Sequence, residues 1–289
     1  MKKVNLRGTK LKVPKLCVGT FQVSDKWSKK FEKKKFFKIL DICKKNKFQF
    51  IDTADSYQKG LIEKNIGKFI KINQRDKWTI ATKFGQLNGY GFDKIEFNLE
   101  SSLRRLNTEY IDLYYFHSGT KKQFLNLKLW DYLNKQVIKG KIKYLGYSLS
   151  FDELKKFKNS DFKYLKELNI KVIQLVYNPI FTIGQKILLK NSIKNDIGIV
   201  TRGTLAKGIL TKKKLDFSQS NKKTFTFKKI NINENDYISK TKYMQLSNLH
   251  PIHSTFKEIL KKKSINSIIC GVSEPKQLIK NISYINDIK

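Results

Sequence analysis

Two hydrophobic rhythms take turns along this chain. Residues 4–13 alternate apolar and polar positions around Arg7-Gly8-Thr9. That is the pattern of a short hairpin, which reads as a plug or cap rather than a core layer. After it, short apolar runs rich in Ile, Val, Tyr and Phe occur at 15–19, 48–54, 78–83, 110–117, 144–148, 172–178, 198–203 and 267–271. Lysine-rich stretches with helical spacing separate them, among them 33–46, 61–72, 93–106, 122–138, 151–168 and 184–195.

Strand–helix alternation predicts parallel strands joined by right-handed crossovers. Eight repeats in 289 residues predict an α/β chain closed into a (β/α)8 barrel, read as one domain over residues 1–289. The competing architecture, a doubly wound sheet, calls for a G-x-G-x-x-G turn after an early strand. The first run instead ends in Cys17-Val18-Gly19-Thr20-Phe21. One segment breaks the rhythm: 212–250 is polar and has no clear period until 236–246. Its place after the seventh strand predicts a partly mobile loop that folds over a ligand.

Charge adds a second possibility. A formal net charge of +36 suggests a polyanion partner. Only five of the 60 basic residues are arginine, however, and nucleic-acid readers lean on arginine's planar fork. The lysines come with an excess of Asn, Ile, Phe and Tyr, as a biased genome composition would produce, so they read as solvated helix faces. Nucleic-acid binding is therefore not expected.

Cys17, Cys43 and Cys270 form no C-x-x-C pair and are odd in number, which predicts reduced, mostly buried thiols. There is no apolar leader after Met1 and no long apolar run. These features predict a cytoplasmic protein without membrane association, a monomer or weak oligomer.

The ends of the eight runs share a chemistry. They deliver Gly19-Thr20, Asp52 with Tyr57, Lys83, His117, Ser148, Gln174, Arg202-Gly203 and Gly271. In a barrel these groups converge on one mouth. A tyrosine is a poor acid at neutral pH, but a neighbouring ammonium stabilises its phenolate, so Lys83 is expected to lower the Tyr57 pKa. Asp52 would hold the lysine charged, and His117 would hydrogen-bond a substrate oxygen beside the phenol. The set describes a proton donor and oxyanion site for a carbonyl, with a cofactor left to supply hydride.

Motifs in the same order make the chain resemble the aldo-keto reductase superfamily over about 13–281. Asp52-Thr53-Ala54-Asp55-Ser56-Tyr57 with Gly60, Glu63 and Gly67 resembles its first signature. Ala81-Thr82-Lys83-Phe84-Gly85 resembles its lysine strand. Ser101-Ser102-Leu103-Arg104-Arg105-Leu106, leading into 110–114 and His117, resembles its second signature. The resemblance implies Tyr57 as general acid, Lys83 as its modulator, Asp52 as the partner of Lys83, and His117 as the group orienting the carbonyl. It also implies NADPH, with NADH possible, as hydride donor, a small carbonyl compound as substrate, and no metal.

The cofactor contacts follow from the same resemblance. Ser148 and Gln174 would hold the carboxamide, with Leu149 standing where the family carries an amide-binding asparagine. Arg202 stands where many members stack a tyrosine on the nicotinamide, and a guanidinium can also stack flat. Gly19, Thr20, Gly203, Leu205 and Lys207 fall in segments around the nicotinamide and pyrophosphate. Gly271, Ser273, Gln277 and Asn281 match the adenosine-end motif. Glu274 would repel a 2′-phosphate unless Lys276 substitutes for the usual base. Phe21, Trp27, Phe84 and Tyr90 are candidates to line an apolar substrate pocket. A slow cofactor-binding regulator of the same fold is the alternative function, and a polyanion-binding protein a further one.

Overall fold

The structure, a computed structural model, describes residues 3–24, 31–181, 184–212 and 234–288. Strands β1 (Lys3–Asn5) and β2 (Lys12–Pro14) pair antiparallel. The barrel strands are β3 (Leu16–Gly19), β4 (Phe50–Asp52), β5 (Thr79–Phe84), β6 (Ile111–His117), β7 (Ile142–Ser148), β8 (Ile170–Val176), β9 (Gly198–Arg202) and β10 (Ser267–Gly271). They run parallel, each beside its sequence neighbour, and β10 closes on β3. The chain is a (β/α)8 barrel with an N-terminal hairpin, as the two rhythms predict.

Helices α1 (Lys33–Lys45), α2 (Leu61–Lys71), α3 (Phe92–Leu106), α4 (Lys121–Phe124), α5 (Leu127–Ile138), α6 (Phe151–Lys156), α7 (Asp161–Glu167), α8 (Gln185–Asn191), α9 (Glu234–Gln245), α10 (Pro251–Leu260) and α11 (Pro275–Asn286) include those that fill the crossovers. Two predicted helices are split. The 122–138 stretch becomes α4 and α5, because Thr120 and Gln123 form a capping box around a single short turn. The 151–168 stretch becomes α6 and α7, where Phe157 turns extended and the Asp161 carboxylate accepts from the Lys158 N–H. Helix α10, which the sequence reading did not anticipate, starts with Pro251 in its first turn behind the His250 cap. The predicted lid falls mostly on 213–233, outside the described residues; its periodic end is α9.

Two hydrophobic layers hold the barrel. Outside, the helices bury aromatic and aliphatic side chains such as Phe36, Ile66, Leu99, Trp130 and Leu188 against the strands. Inside, Cys17, Phe50, Ala81, Leu113, Tyr115 and Val200 form a smaller core. The hairpin's Leu6 and Val13 belong to that inner core, which makes the hairpin the plug of the barrel's N-terminal end. All three cysteines are free and buried. Among the described residues, no helix is long and apolar enough to cross a membrane.

The packing of α2 on α3 accounts for the first signature's glycines. Gly60 has φ +84, and a Cβ there would meet the Arg105 side chain at 2.5 Å. At Gly67 a Cβ would lie 2.4 Å from the Arg105 carbonyl oxygen, so the two helices meet backbone to side. Arg105 is in turn bound to the fully buried Glu63, whose other oxygen accepts from the Thr82 hydroxyl at 2.6 Å. This lock fixes α2, and with it the loop that carries Tyr57, against β5.

Candidate active site

Register places the four central groups. Asp52, the last residue of β4, pairs with Ala81 of β5. Lys83 stands two positions further along β5 and so points to the same inner face, past Asp52 toward the strand exits. Its Nζ lies 2.7 Å from Asp52 Oδ1 and donates to the Thr53 carbonyl at 2.6 Å. Lys83 is 1% and Asp52 6% exposed, so the ion pair is shielded from solvent screening.

Tyr57 begins the short turn after β4, where Gln58 and Lys59 are both left-handed, an unfavourable conformation for such residues. That turn brings the ring over the site: Lys83 Nζ is 5.1 Å from its centroid. The His117 imidazole, at the end of β6, stands 6.3 Å from the Tyr57 ring and edge-on to it. All four groups are brought together as the strand-exit reading predicts.

Lys83 acts on Tyr57 in the expected sense, pulling its pKa down, but burial outweighs it. The Tyr57 pKa is raised, not lowered, because burial penalises the phenolate more than the Lys83 ammonium favours it, and the Asp52 carboxylate adds to the rise. Burial also acts against the Lys83 ammonium. There the Asp52 carboxylate and the Tyr57 oxygen prevail and hold the lysine above its ordinary value. The outcome is a protonated phenol beside a charged lysine. That pair can give up a proton to an oxygen developing negative charge.

The expected carboxamide holders form a buried chain. Ser148 and Gln174 are register partners on β7 and β8, and the Ser148 hydroxyl donates to Gln174 Oε1 at 2.9 Å. The Gln174 amide donates to Asp52 Oδ2 at 2.6 Å, so Asp52 is held from both sides. Gln174 lines the cavity above Asp52, and Ser148 stands behind it. Thr20 also serves as a brace, its hydroxyl donating to the Asp52 carbonyl at 3.1 Å.

Two adjoining cavities occupy the mouth. One, of about 350 Å³, contains Asp52, Tyr57, His117 and Gln174 together with Gly19 and Arg202. The other, of about 430 Å³, contains Leu205, Ser273, Gln277, Asn281 and two residues the sequence reading missed, His250 and Lys280. Gly203, Lys207 and Gly271 border both, so the cavities form one groove. Gln22, also missed, stands at the junction, where a Cβ on Gly271 would strike its amide.

An extended anionic dinucleotide fits this groove on its charges. Arg202, Lys207 and Lys280 line it, while Asp52, the acid that lines it, is already paired with Lys83. Glu274 does not line it and is bound to Lys35 at 2.8 Å. Lys276 does not line it either; the base on that side is Lys280. Gln277 Oε1 accepts from the backbone N–H groups of Ser273 and Glu274, which shapes the start of α11.

Two of the candidate pocket aromatics stand away from the cavity. Phe84 is buried in the outer core, stacked 4.9 Å from Tyr114. Tyr90 turns away as well, its ring on Phe116 and its hydroxyl donating to the His117 carbonyl at 2.5 Å. Trp27 lies outside the described residues. Of the candidates among the described residues, Phe21 alone lines the cavity.

Comparison with known proteins agrees with this geometry. The model of the aldo/keto reductase family matches residues 15–288. The uncharacterized oxidoreductase YqkF of Bacillus subtilis (strain 168) is 29% identical over 266 residues, covering 88% of this chain and 83% of its own length. An NADP(+) aryl-alcohol dehydrogenase of Phanerodontia chrysosporium is 30% identical over 172 residues, covering 49% of this chain and 42% of that enzyme. Among solved structures, the holo form of aldo-keto reductase AKR11C1 from Bacillus halodurans superposes with a TM-score of 0.80. That match covers 99% of this chain and 91% of that one at 23% identity, a likeness of fold.

Proposed function

Since this chain belongs to the aldo/keto reductase family, we propose that it is an NADPH-dependent reductase of small aldehydes or ketones, with Tyr57 as the proton donor. The observation that carries this reading is the buried contact of Lys83 with Asp52 beside a phenol kept protonated by burial. NADPH, when bound, supplies the hydride. Gln174, which lines the cavity, would hold the carboxamide. Gly203, Leu205 and Lys207 border the region for the phosphates, and Ser273, Gln277, Asn281 and Lys280 the adenosine end.

The chain's own work is on the proton. His117 and Tyr57 stand 6.3 Å apart at the mouth, and a carbonyl oxygen between them would accept from both. As negative charge grows there, the proton moves from the Tyr57 hydroxyl, and the phenolate left behind is stabilised by the Lys83 ammonium. Asp52 keeps that ammonium charged and in place, and Gln174 and Thr20 keep Asp52 in place. The test is direct: purified protein is mixed with NADPH and a panel of aldehydes, and loss of NADPH is followed together with alcohol formation. Stoichiometric alcohol supports the reading; no alcohol from any aldehyde contradicts it.

A further inference from the structure

Arg202 ends β9 and lines the same cavity as Tyr57, His117 and Gln174. Its Nη2 donates to the Leu149 carbonyl at 2.8 Å, which fixes one arm of the fork against an uncharged group. The carboxylate that acts on it is Asp52, and the two oxygens of Asp52 are already engaged by Lys83 and Gln174. The Lys83–Asp52 pair adds no net charge, and Tyr57 is a neutral phenol. Lys207 borders the region for the phosphates, whose negative charge it meets. Arg202 therefore brings one uncompensated positive charge to the cavity beside the proton donor.

The position of the cofactor ring follows from the reaction. Hydride must reach the carbonyl carbon while Tyr57 protonates its oxygen, so the nicotinamide has to share this cavity. Giving up hydride changes the charge of that ring: it enters as a neutral dihydropyridine and leaves as a pyridinium cation. The phosphates, riboses and adenine are the same in both forms. A guanidinium is drawn to a neutral π-face and repelled by a cation. Desolvation already disfavours the Arg202 charge and pulls its pKa down, so a second cation close by is costly.

We propose that Arg202 distinguishes the redox state of the cofactor: its charge favours the reduced dinucleotide over the oxidised one, so the site is loaded for carbonyl reduction when both forms are present. This rests on the reductase reading above and adds a preference that the phosphate contacts, common to both forms, do not supply. The equilibrium between the two forms in solution is untouched. What changes is which form occupies the groove and how readily the oxidised product leaves.

The test measures binding without turnover. Dissociation constants for NADPH and NADP+ are determined by calorimetric titration in the wild type, in the neutral variants Arg202→Met and Arg202→Gln, and in Arg202→Lys, with thermal melts to identify the folded variants. The quotient of the two constants cancels every contact except those to the ring. The wild type is expected to bind NADPH about tenfold or more tighter than NADP+, the scale of one charge at a partly buried site. The neutral variants should lose most of that preference, and Arg202→Lys, which keeps the charge, should retain much of it.

A quotient near one in the wild type overturns the proposal while leaving the reductase reading in place. A preference that survives in the neutral variants overturns it too, even where both forms bind more weakly, since the guanidinium would then serve the phosphates. Loss of the preference in Arg202→Lys to the same extent as in Arg202→Met also overturns it, because shape and not charge would be at work. The predicted quotient without alcohol formation from any aldehyde contradicts the reductase reading alone. Failure of the wild type to bind either form overturns both readings together.

Discussion

Gln174 and Asp52 stand 122 residues apart in the chain, yet the Gln174 amide donates to Asp52 Oδ2 at 2.6 Å. Lys83 takes the other oxygen at 2.7 Å, so both oxygens of one buried carboxylate are engaged, by a neutral group from β8 and a cation from β5. A carboxylate gripped on both sides cannot swing toward the phenol. The lysine it anchors is then free to act on Tyr57.

Lys83→Met removes one partner of this buried pair and leaves Asp52 with Gln174. The expected cost is about 3–5 kcal/mol, since the remaining carboxylate stays buried. Urea unfolding checks it. The sign with pH follows from the direction of the shift. Lys83 is held above its ordinary pKa in the folded state, so its contribution is full below about 10.4 and declines as pH rises through the folded value. The stability gap between wild type and Lys83→Met should be flat from neutral pH to mildly alkaline pH and narrow only above that. A gap that closes near neutrality would contradict the assignment.

Asp55 gives the opposite kind of pH dependence. Burial, with the nearby Glu63 carboxylate, raises its pKa from 3.8 to about 6. The folded state therefore binds this proton more tightly than the unfolded chain does. Stability from this group is full below about 4 and is lost as pH rises through about 6. Asp55→Asn is expected to stabilise the protein at pH values well above 6 by at most about 3 kcal/mol, with the gain shrinking as the medium is acidified. Thermal melts at several pH values read this directly, and a gain independent of pH would count against it.

Lys280 bears on the choice of cofactor. It lines the cavity proposed above for the adenosine end, while Glu274 is held by Lys35. Lys280→Met is expected to weaken NADPH by about fivefold, the scale of an exposed ion pair, and to leave NADH nearly unchanged. The NADPH loss should shrink at high salt. Equal weakening of the two cofactors would place Lys280 elsewhere.

Much of this was legible in the sequence, for identifiable reasons. Strand exits are marked by abrupt changes from apolar to polar residues, and Asp52 and His117 sit at such changes, while Lys83 and Gln174 are polar residues one and two positions inside the ends of apolar strands. Their neighbourhood follows once the barrel closes, because register carries Gly19, Asp52 and Ala81 along one side of the mouth and His117, Ser148 and Gln174 along the other side of the same mouth. Backbone contacts were not legible. The Leu149 carbonyl that orients Arg202 has no side-chain signature, and the break after Lys156 depends on a local cap inside a helical pattern.

The net direction of the Tyr57 shift was not legible for a related reason. Sequence shows which charges are near a group, but the cost of burying it depends on packing from Phe21 and the strands. His250 and Lys280 escaped notice because they lie on the rim of the groove, away from any strand exit. No periodicity marks such positions. Aromatic composition also misled: Phe84 and Tyr90 flank the right loop but pack against β6.

The central claim is that the Tyr57 hydroxyl delivers the proton, and Tyr57→Phe tests it most directly because it removes that oxygen and keeps the ring. Carbonyl-dependent NADPH oxidation should fall by about 100-fold or more, the scale of general acid catalysis, with NADPH binding retained. Undiminished turnover in Tyr57→Phe, on a substrate the wild type reduces, would contradict the account.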